Sequence, residues 1–349
     1  MHVVQVLSYH SSPCANDERE RSFGLLRSSS SGFSYVPGAL EVEWFPQQPH
    51  SVEGKLCQLA LKQAKGSQID EWLAFSGTSS RGKLPRQPNR TQTKLLSKLT
   101  CSDGREEYLE PLTGVARHPR ANVGCQPKKT FGVDIFNTAY LVVQNRCGSG
   151  SGGGTNELAH RHGRNLFYDL GAGPYDSKLP LGADGGYGPS IPVFSRLYEN
   201  NCIVFDEIWA WEYTQIPPPT YWEKIPPAIR GKLHFMNIPV EPEPHSNSFL
   251  ELLKSTAKPE DFVVVKVDVD NSAVEESVVE SIARDPQLAR LVDEMFFEYH
   301  FYGEAGFDFG WGSRNMADRP STMTNATVET ALNLMRRLRN RGIRAHFWI

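Results

Sequence analysis

The 349-residue sequence has no uninterrupted apolar stretch approaching the length of about 18 residues that a membrane-spanning helix needs. It also has no surplus of positive charge, because its formal net charge is -3. Proteins built around nucleic-acid phosphates carry an excess of lysine and arginine. The sequence therefore predicts no membrane span and no nucleic-acid partner.

The sequence also lacks the cysteine pairs of a metal-binding protein. Its six cysteines are scattered, with no C-x-x-C or other zinc-like spacing, and we expect no metal site. Scattered thiols in a chain of this length are more often free than disulfide-bonded. The first residues lack the basic segment of a secretory signal peptide, and we expect a cytoplasmic location. The sequons Asn89-Arg90-Thr91 and Asn325-Ala326-Thr327 would matter only in a secretory compartment.

Composition divides the chain into three parts. Residues 1–145 are rich in Ser, Gly and charge, and we expect an irregular, partly disordered N-terminal extension that could cap a site. Within it, short strands are predicted at residues 39–45 (ALEVEWF) and 139–143 (AYLVV). Residues 146–165 form a linker rich in Gly and Ser. Residues 166–349 are expected to form the main domain.

The two parts of the chain also differ in charge. Residues 1–150 contain 18 Lys+Arg against 13 Asp+Glu, a net of +5, and residues 151–349 contain 19 against 27, a net of -8. The basic excess is concentrated in residues 81–99. A solvated, flexible segment explains such a run more often than an acidic partner does.

Apolar strands and amphipathic helices alternate after the linker. The strongest strand signal is DFVVVKVDVD at residues 261–270, which a helix at residues 272–285 follows directly. Further strands are predicted at 166–170, 202–212, 232–240, 291–301 and in the closing residues IRAHFWI. Near-continuous apolar strands that alternate with helices indicate a mostly parallel sheet covered on both faces. The predicted fold class is therefore α/β, with a Rossmann-like, doubly wound sheet.

Polar or acidic residues follow four of these strands. They are Asp169 with Gly171 and Gly173, then Glu212, then Asp268 to Asn271, and finally Glu298 to His300. In doubly wound sheets, ligands bind at the carboxyl ends of the strands, near the point where the strand order reverses. The sequence therefore predicts that these residues share one site.

Several of these segments resemble S-adenosylmethionine-dependent methyltransferases of the FkbM type. FYDLGAGPY resembles their first motif, in which a strand ends in D/E-x-G-x-G, and AWE is similar to the second-strand acid that holds the cofactor's ribose. VVKVDVDNSAVE resembles their K-x-D-x-E-G-x-E segment, EMFFEYHF their next strand and GIRAHFWI their closing segment. The resemblance covers about residues 160–349 and points in particular to a group of eukaryotic FkbM-like proteins.

The resemblance implies a cofactor and an arrangement of residues around it. The cofactor would be S-adenosylmethionine, and the methyl group would go to the oxygen of a small-molecule or glycan hydroxyl. Asp169, Gly171 and Gly173 would shape the methionine end of the cofactor, and Glu212 would bind its ribose hydroxyls. An acidic pocket suits this ligand because its sulfonium is a cation.

A hydroxyl acceptor also needs a base to remove its proton. Asp268 is the first candidate for the catalytic base, and His300 and Glu298 are the next. Glu275 has a structural interpretation instead, because Ser272-Ala273-Val274-Glu275 has the pattern of a capping box.

The chain departs from the family pattern in two places. Glu212 lies well beyond the usual spacing of about 20 residues from the glycines, because residues 176–188 intervene. That segment could be a lid, or an insertion that transfers the ribose contact to Asp206. Asp270-Asn271 replaces the Glu-Gly of the family.

Two functions of other classes remain open. Asp268 and Asp270 form a D-x-D after an apolar strand, as in glycosyltransferases that use a divalent metal and a sugar nucleotide. The other alternative is a catalytically inactive Rossmann-like fold that serves as a binding module.

Overall fold

The computed structural model describes two β-sheets and the helices around them. The described residues are 33–44, 62, 66–79, 87–101, 106–112, 138–147, 163–175, 189–241, 245, 248–299 and 328–348. The strands are β1 (Phe33–Val36), β2 (Ser97–Cys101), β3 (Glu106–Leu109), β4 (Asn165–Leu170), β5 (Glu207–Trp211), β6 (Leu233–Met236), β7 (Phe262–Val267), β8 (Glu294–Phe297) and β9 (Arg344–Phe347). The helices are α1 (Ala39–Trp44), α2 (Ser67–Ser79), α3 (Arg90–Leu95), α4 (Ser190–Glu199), α5 (Pro218–Glu223), α6 (Pro227–Arg230), α7 (Phe249–Thr256), α8 (Ser272–Arg284), α9 (Pro286–Ala289) and α10 (Val328–Asn340).

Six of the strands form an all-parallel sheet in the order β6-β5-β4-β7-β8-β9. The chain builds the sheet outward from β4 in one direction and from β7 in the other, so the strand order reverses between these two strands. This is the strand order of doubly wound dinucleotide-binding folds. The predicted α/β class and the parallel sheet are confirmed, and the architecture is compatible with a Rossmann-like fold.

β4 and β7 form the centre of this sheet and are buried along their whole length. Side chains of a strand alternate between the two faces of a sheet. Tyr168 accordingly packs in one core beneath α7, where its ring meets that of Phe249. Phe167 packs in the other core, where its ring stacks on Phe194 of α4 at 4.8 Å. The near-continuous apolar pattern of these strands therefore reflects burial on both faces.

Local sequence rules account for several helix boundaries. Ser248 precedes α7, and its hydroxyl accepts a hydrogen bond from the backbone N of Glu251 at 3.2 Å, which stabilises the first turn. Pro226 and Pro227 stand at the start of α6, where the chain breaks between α5 and α6, because a proline has no backbone N–H to continue a helix. None of the described helices is long and apolar enough to cross a membrane.

The segment predicted as a strand at residues 39–45 is helical instead, since Ala39–Trp44 form α1. In a strand, Leu40 and Val42 would face the same side of a sheet. Here Leu40 and the adjacent Glu41 are both buried, whereas Val42 is 49% exposed. The alternation of apolar and polar residues in this segment therefore does not correspond to an alternation of buried and exposed side chains.

The strand predicted at residues 139–143 is also wrong, because residues 141–146 are irregular. The backbone N of Val142 donates to the carboxylate of Glu110 at 2.9 Å, and the backbone N of Gln144 donates to the carboxylate of Glu294 at 3.2 Å. Side-chain carboxylates thus satisfy backbone donors that would otherwise pair with a neighbouring strand.

The other three strands form an antiparallel sheet in the order β1-β2-β3. Buried ion pairs join this sheet and the residues after it to the parallel sheet. Arg339 of α10 donates to the hydroxyl of Tyr35 at 3.0 Å and to the carboxylate of Glu110 at 3.0 Å. Arg344 of β9 lies 3.0 Å from the carboxylate of Glu107. β1, β3 and Glu110 therefore contact α10 and β9, while the predicted domain boundary and cap role stay predictions.

His346 of β9 lies at the centre of this contact and is fully buried. Its Nδ1 is 2.7 Å from Oε1 of Glu110, and its Nε2 is 2.7 Å from Oε1 of Glu294. Burial lowers the pKa of His346, but the two carboxylates outweigh burial and raise it overall. The imidazolium is therefore favoured, and it links the N-terminal part of the chain to β8.

Cys147 and Cys202 form a disulfide, with their Cα atoms 5.1 Å apart. The expectation of free thiols is wrong for this pair, and no cysteine whose side chain the structure describes is free. The sequence separation of 55 residues conceals the contact. A turn after α4, in which Cys202 has a φ of 60°, brings the second thiol against the end of the 138–147 segment.

Candidate functional site

The carboxyl ends of β4, β5 and β7 lie side by side where the strand order reverses. Asp169 in β4 is directly opposite Ala210 in β5 and Lys266 in β7. Glu212 follows Ala210 by two positions and Asp268 follows Lys266 by two, so strand periodicity places all of them on the same face. The structure thus brings the predicted acids of three strands to one edge and one face of the sheet.

A buried lysine joins two of these acids. Nζ of Lys266 is 3.3 Å from Oδ1 of Asp169 and 2.9 Å from Oδ2 of Asp268. Burial raises the pKa of Asp169 to about 6, even though the ammonium of Lys266 acts to lower it. Burial lowers the pKa of Lys266, but the carboxylates of Asp268 and Asp169 raise it overall. Lys266 therefore stays charged and holds the two acids together.

The two glycines after β4 are required for different reasons. Gly171 has a φ of 87°, and a Cβ at this position would lie 1.6 Å from the backbone oxygen of Asp268. Gly173 has a φ of 65°, and no described atom lies within 4 Å of the place where its Cβ would be. Gly171 therefore allows two backbones to approach, and Gly173 supplies a left-handed turn beside open space.

Glu212 lies directly at this glycine turn. Its Oε2 accepts a hydrogen bond from the backbone N of Gly173 at 2.8 Å, and its Oε1 accepts one from Thr214 at 2.6 Å. A carboxylate has about four acceptor sites, so each oxygen of Glu212 can accept a further hydrogen bond. The residues that separate Glu212 from the glycines in sequence therefore do not separate them in space.

Asp206, the alternative acid, lies elsewhere. Its Oδ2 accepts a hydrogen bond from the backbone N of Asn165 at 2.7 Å. Asn165 is the first residue of β4, at the opposite edge of the parallel sheet from Glu212. Asp206 is therefore excluded as a substitute for Glu212 at this site.

Three carboxyl groups converge beside Lys266. One oxygen from each of Asp268, Glu275 and Glu298 lies within 4.8 Å of the other two. Glu275 and Glu298 are buried, whereas the side chain of Asp268 is 22% exposed. A group with this spacing could hold a metal ion, which the sequence did not predict. In the structure, the ammonium of Lys266 already lies beside it and offsets part of its charge.

The environment separates the roles that these acids can take. Burial, and then the charge of Asp268, raise the pKa of Glu275 to about 8. The same two causes raise the pKa of Glu298 well above its ordinary value, and its carboxyl hydrogen-bonds Asp268. A protonated carboxyl donates a hydrogen bond and cannot remove a proton through that oxygen. Glu298 is therefore better suited to orient Asp268 than to act as the base.

The predicted capping box of Ser272 and Glu275 is wrong. The N-cap of α8 is Asn271, whose side chain accepts from the backbone N of Val274 at 3.4 Å. Glu275 reaches back beyond the cap, and its Oε1 accepts from the backbone N of Val269 at 2.9 Å. Glu275 therefore fixes the loop that carries Asp268.

We expect the free energy of unfolding of a Glu275→Gln variant to fall less with rising pH than that of the wild type. The carboxyl has a pKa of about 8 in the folded protein against an ordinary value of 4.5. The folded state thus binds the proton more tightly, and its stability falls from about pH 5 to about pH 8. At about 1.4 kcal/mol per pKa unit, the free energy of unfolding falls by a few kcal/mol over this pH range. The measurement is the urea unfolding free energy across this pH range.

The control for this substitution is Glu199→Gln, which changes an exposed carboxyl at the end of α4. It should leave the pH dependence of unfolding as it is in the wild type. A Glu275→Gln protein whose stability falls as steeply as the wild type would show that Glu275 is ionised in the folded state.

Two residues at this site were given no role from the sequence. Lys266 could have been noticed, since it is a charge in the middle of an apolar strand. Tyr221 of α5 carries no such signal, because it reaches the site by stacking on Phe235 of β6, with 3.6 Å between ring centroids. Burial, and then the carboxylates of Asp169 and Glu212, raise the pKa of Tyr221, so its hydroxyl remains a donor.

Within the part of the chain that the structure describes, the Tyr221 hydroxyl and the carboxylate oxygens of Asp169 are buried and have no hydrogen-bond partner of ordinary geometry. Buried polar groups without such partners are uncommon and destabilising in folded proteins. For Asp169, the ammonium of Lys266 compensates in part. The site therefore contains polar atoms that a bound group could satisfy.

Two of the predictions lie outside the described residues. They are the role of His300 as a base and the role of residues 176–188 as a lid or insertion. Both stay predictions.

Comparisons with known proteins provide no relative for this chain. No family model, no curated protein and no solved structure matches it.

Proposed function

We propose that this chain is an S-adenosylmethionine-dependent methyltransferase that acts on a hydroxyl oxygen of a small molecule or glycan. The observation that carries the proposal is the convergence of Asp169, Glu212 and Asp268 at the reversal of strand order. Doubly wound folds bind nucleotides at this edge. The acids outnumber the ammonium of Lys266 there, so a cationic nucleoside matches the charge better than a phosphate does.

The residues present fit the groups of this cofactor. The remaining lone pairs of Glu212 suit the two hydroxyls of a ribose, and no described atom lies where a ligand could approach the backbone of Gly173. Oδ2 of Asp169, which forms no ion pair with Lys266, can accept a hydrogen bond from an ammonium group, and the Tyr221 hydroxyl can donate one. Satisfying a buried polar group of this kind recovers about 1–3 kcal/mol.

The cofactor supplies a methyl group on a positively charged sulfur, which an oxygen nucleophile can attack. The chain's own residues have to position the acceptor hydroxyl and take its proton. Asp268 is the proposed base because it is partly exposed at the edge of the sheet and is fixed by Lys266 and Glu298. The raised pKa of Glu298 lets it donate a hydrogen bond to Asp268 and keep that carboxylate in place.

Calorimetric titration with S-adenosylhomocysteine tests the proposal. The wild type is expected to bind it, and Glu212→Ala is expected to weaken binding by at least tenfold. The reason is that hydrogen bonds to a charged group are worth about 1.5–3 kcal/mol each.

Glu212→Gln serves as the intermediate variant, because it loses the charge while its single amide oxygen can still accept from the backbone N of either Gly173 or Thr214, but not from both. Glu251→Ala, at an exposed position of α7, is the control that should not change the affinity. A wild-type protein that does not bind S-adenosylhomocysteine contradicts the proposal.

The cluster of three carboxyl groups from Asp268, Glu275 and Glu298 favours one alternative function, that of a metal-dependent glycosyltransferase. The metal ligands would then differ from the D-x-D prediction, because Asp270 is exposed and does not belong to this group. Manganese-dependent binding of a nucleotide sugar, with no binding of S-adenosylhomocysteine, would support this function. A protein that binds neither ligand would instead be the inactive binding module.

A further inference from the structure

Asn89 is the first residue of the sequon Asn89-Arg90-Thr91 and is exposed, as are Arg90 and Thr91. It is also the N-cap of α3. Its Oδ1 accepts hydrogen bonds from the backbone N of Thr91 and of Gln92, each at 2.9 Å. The helix cap therefore depends on the amide oxygen of Asn89 and leaves the amide nitrogen directed outward.

The amide nitrogen is the atom to which an N-linked glycan attaches. Nδ2 of Asn89 lies 3.3 Å from Oε2 of Glu71 at the protein surface. Glycosylation replaces one of the two hydrogens on Nδ2, so the remaining N–H can still donate to Glu71. The oxygen keeps both of its capping hydrogen bonds. The folded structure of α3 is thus compatible with a glycan on Asn89.

The disulfide between Cys147 and Cys202 is a second, independent observation. It forms where two chain segments are also held by other contacts. Nδ2 of Asn145 donates to Oδ1 of Asn201 at 2.7 Å, and the backbone N of Arg146 donates to the carbonyl of Asn201 at 2.9 Å. The thiols are therefore held together by the fold. Disulfides persist in secretory compartments and are rare in the cytoplasm.

We propose that this protein folds in the oxidising lumen of the secretory pathway and carries an N-linked glycan on Asn89. This location differs from the cytoplasmic one expected from the sequence. This inference does not depend on the proposed methyltransferase activity, because it rests on α3 and on the disulfide alone.

Both covalent steps use reactants that such a compartment contains. The two thiols lose two protons and two electrons, and the disulfide of a thiol–disulfide exchange protein is reduced in return. For the glycan, Nδ2 of Asn89 forms a bond to the anomeric carbon of an oligosaccharide carried on a lipid diphosphate. The bond from that carbon to the diphosphate oxygen breaks, the lipid diphosphate leaves, and the transferase takes one proton from Nδ2.

The test uses the full-length protein isolated from its own cells. Free thiols are alkylated under denaturing conditions without reductant, and the protein is then treated with peptide N-glycosidase in water labelled with oxygen-18. The expected results are a peptide pair linked through Cys147 and Cys202 and an oxygen-18-labelled aspartate at position 89. An unmodified asparagine at position 89 overturns the glycan, and alkylated Cys147 and Cys202 overturn the oxidising compartment.

Variants expressed in the same cells separate the sequon from the helix cap. Asn89→Asp keeps an oxygen that can cap α3 but removes the glycosylation nitrogen, so the glycan should be lost. Thr91→Ala destroys the sequon and should also abolish the glycan. Thr91→Ser keeps a sequon hydroxyl and should retain it. Equal glycan occupancy in Thr91→Ala and the wild type would overturn the assignment to Asn89.

Discussion

Replacing Arg339 with methionine is expected to lower the free energy of unfolding by about 3–5 kcal/mol. Arg339 is fully buried, and it lies 3.0 Å from the carboxylate of Glu110 and 3.9 Å from that of Glu41. It also donates to the carbonyl of Ala345 at 3.0 Å and 2.8 Å. Methionine fills a similar volume but removes the guanidinium from Glu110, Glu41 and the carbonyl. His346 and Arg336 remain beside the two carboxylates, but removing one partner of a buried ion pair is still strongly destabilising.

The matched control is Arg337→Met on the same helix. Arg337 also pairs with a glutamate, Glu280, but its side chain is 45% exposed. Exposed ion pairs contribute about 0–1 kcal/mol. Urea unfolding of both variants at neutral pH measures the difference. If Arg339→Met costs no more than Arg337→Met, the N-terminal part of the chain is not anchored to α10 in the way described.

Replacing Asp268 with asparagine is expected to lower methyl transfer by about 10²–10⁴-fold, the usual contribution of a general base. Asparagine has nearly the same shape as aspartate but does not take a proton from the acceptor hydroxyl. Binding of S-adenosylhomocysteine should remain measurable, because the proposed ribose contact at Glu212 is unchanged. The measurement is the release of S-adenosylhomocysteine from S-adenosylmethionine in the presence of a panel of small-molecule and glycan hydroxyl acceptors.

Asp270→Asn is the control for this substitution. Asp270 is exposed and has a φ of 57°, a conformation that asparagine tolerates well. We expect this variant to retain turnover, whereas a glycosyltransferase that uses both acids of the D-x-D would lose activity in both variants. An Asp268→Asn protein with unchanged methyl transfer would remove Asp268 from the mechanism.

The central strands could be predicted because their sequence signal is local. The side chains of residues 262–267 are buried on both faces of the sheet, and all residues of β7 except Lys266 are apolar. The position of Asp169 and Asp268 at the ends of these strands follows from the same signal, since parallel strands end at one edge of a sheet. Glu212 lies beside the glycines in the structure, although its spacing in the sequence is unusual.

Other features could not be predicted because they depend on contacts between distant segments. The irregular segment at residues 141–146 receives its hydrogen bonds from Glu110 and Glu294 instead of from a strand. The disulfide joins residues 55 positions apart in the sequence, and no sequence pattern indicates that the two cysteines lie close together in the fold. Tyr221 reaches the site only because α5 packs on β6.

The sequence by itself determined the parallel sheet, the alternation of its strands with helices after residue 165, and the acids at the strand ends. These features depend on burial on two faces and on strand termination, which act over a few neighbouring residues. Only the tertiary structure decided the charge state of each acid and its partner. The pKa of Glu275 and that of Glu298 are set by burial and by Asp268, and Lys266 is charged because two carboxylates surround it. Such electrostatic effects depend on the distances between groups and on their burial in the folded protein, and the sequence alone specifies neither quantity.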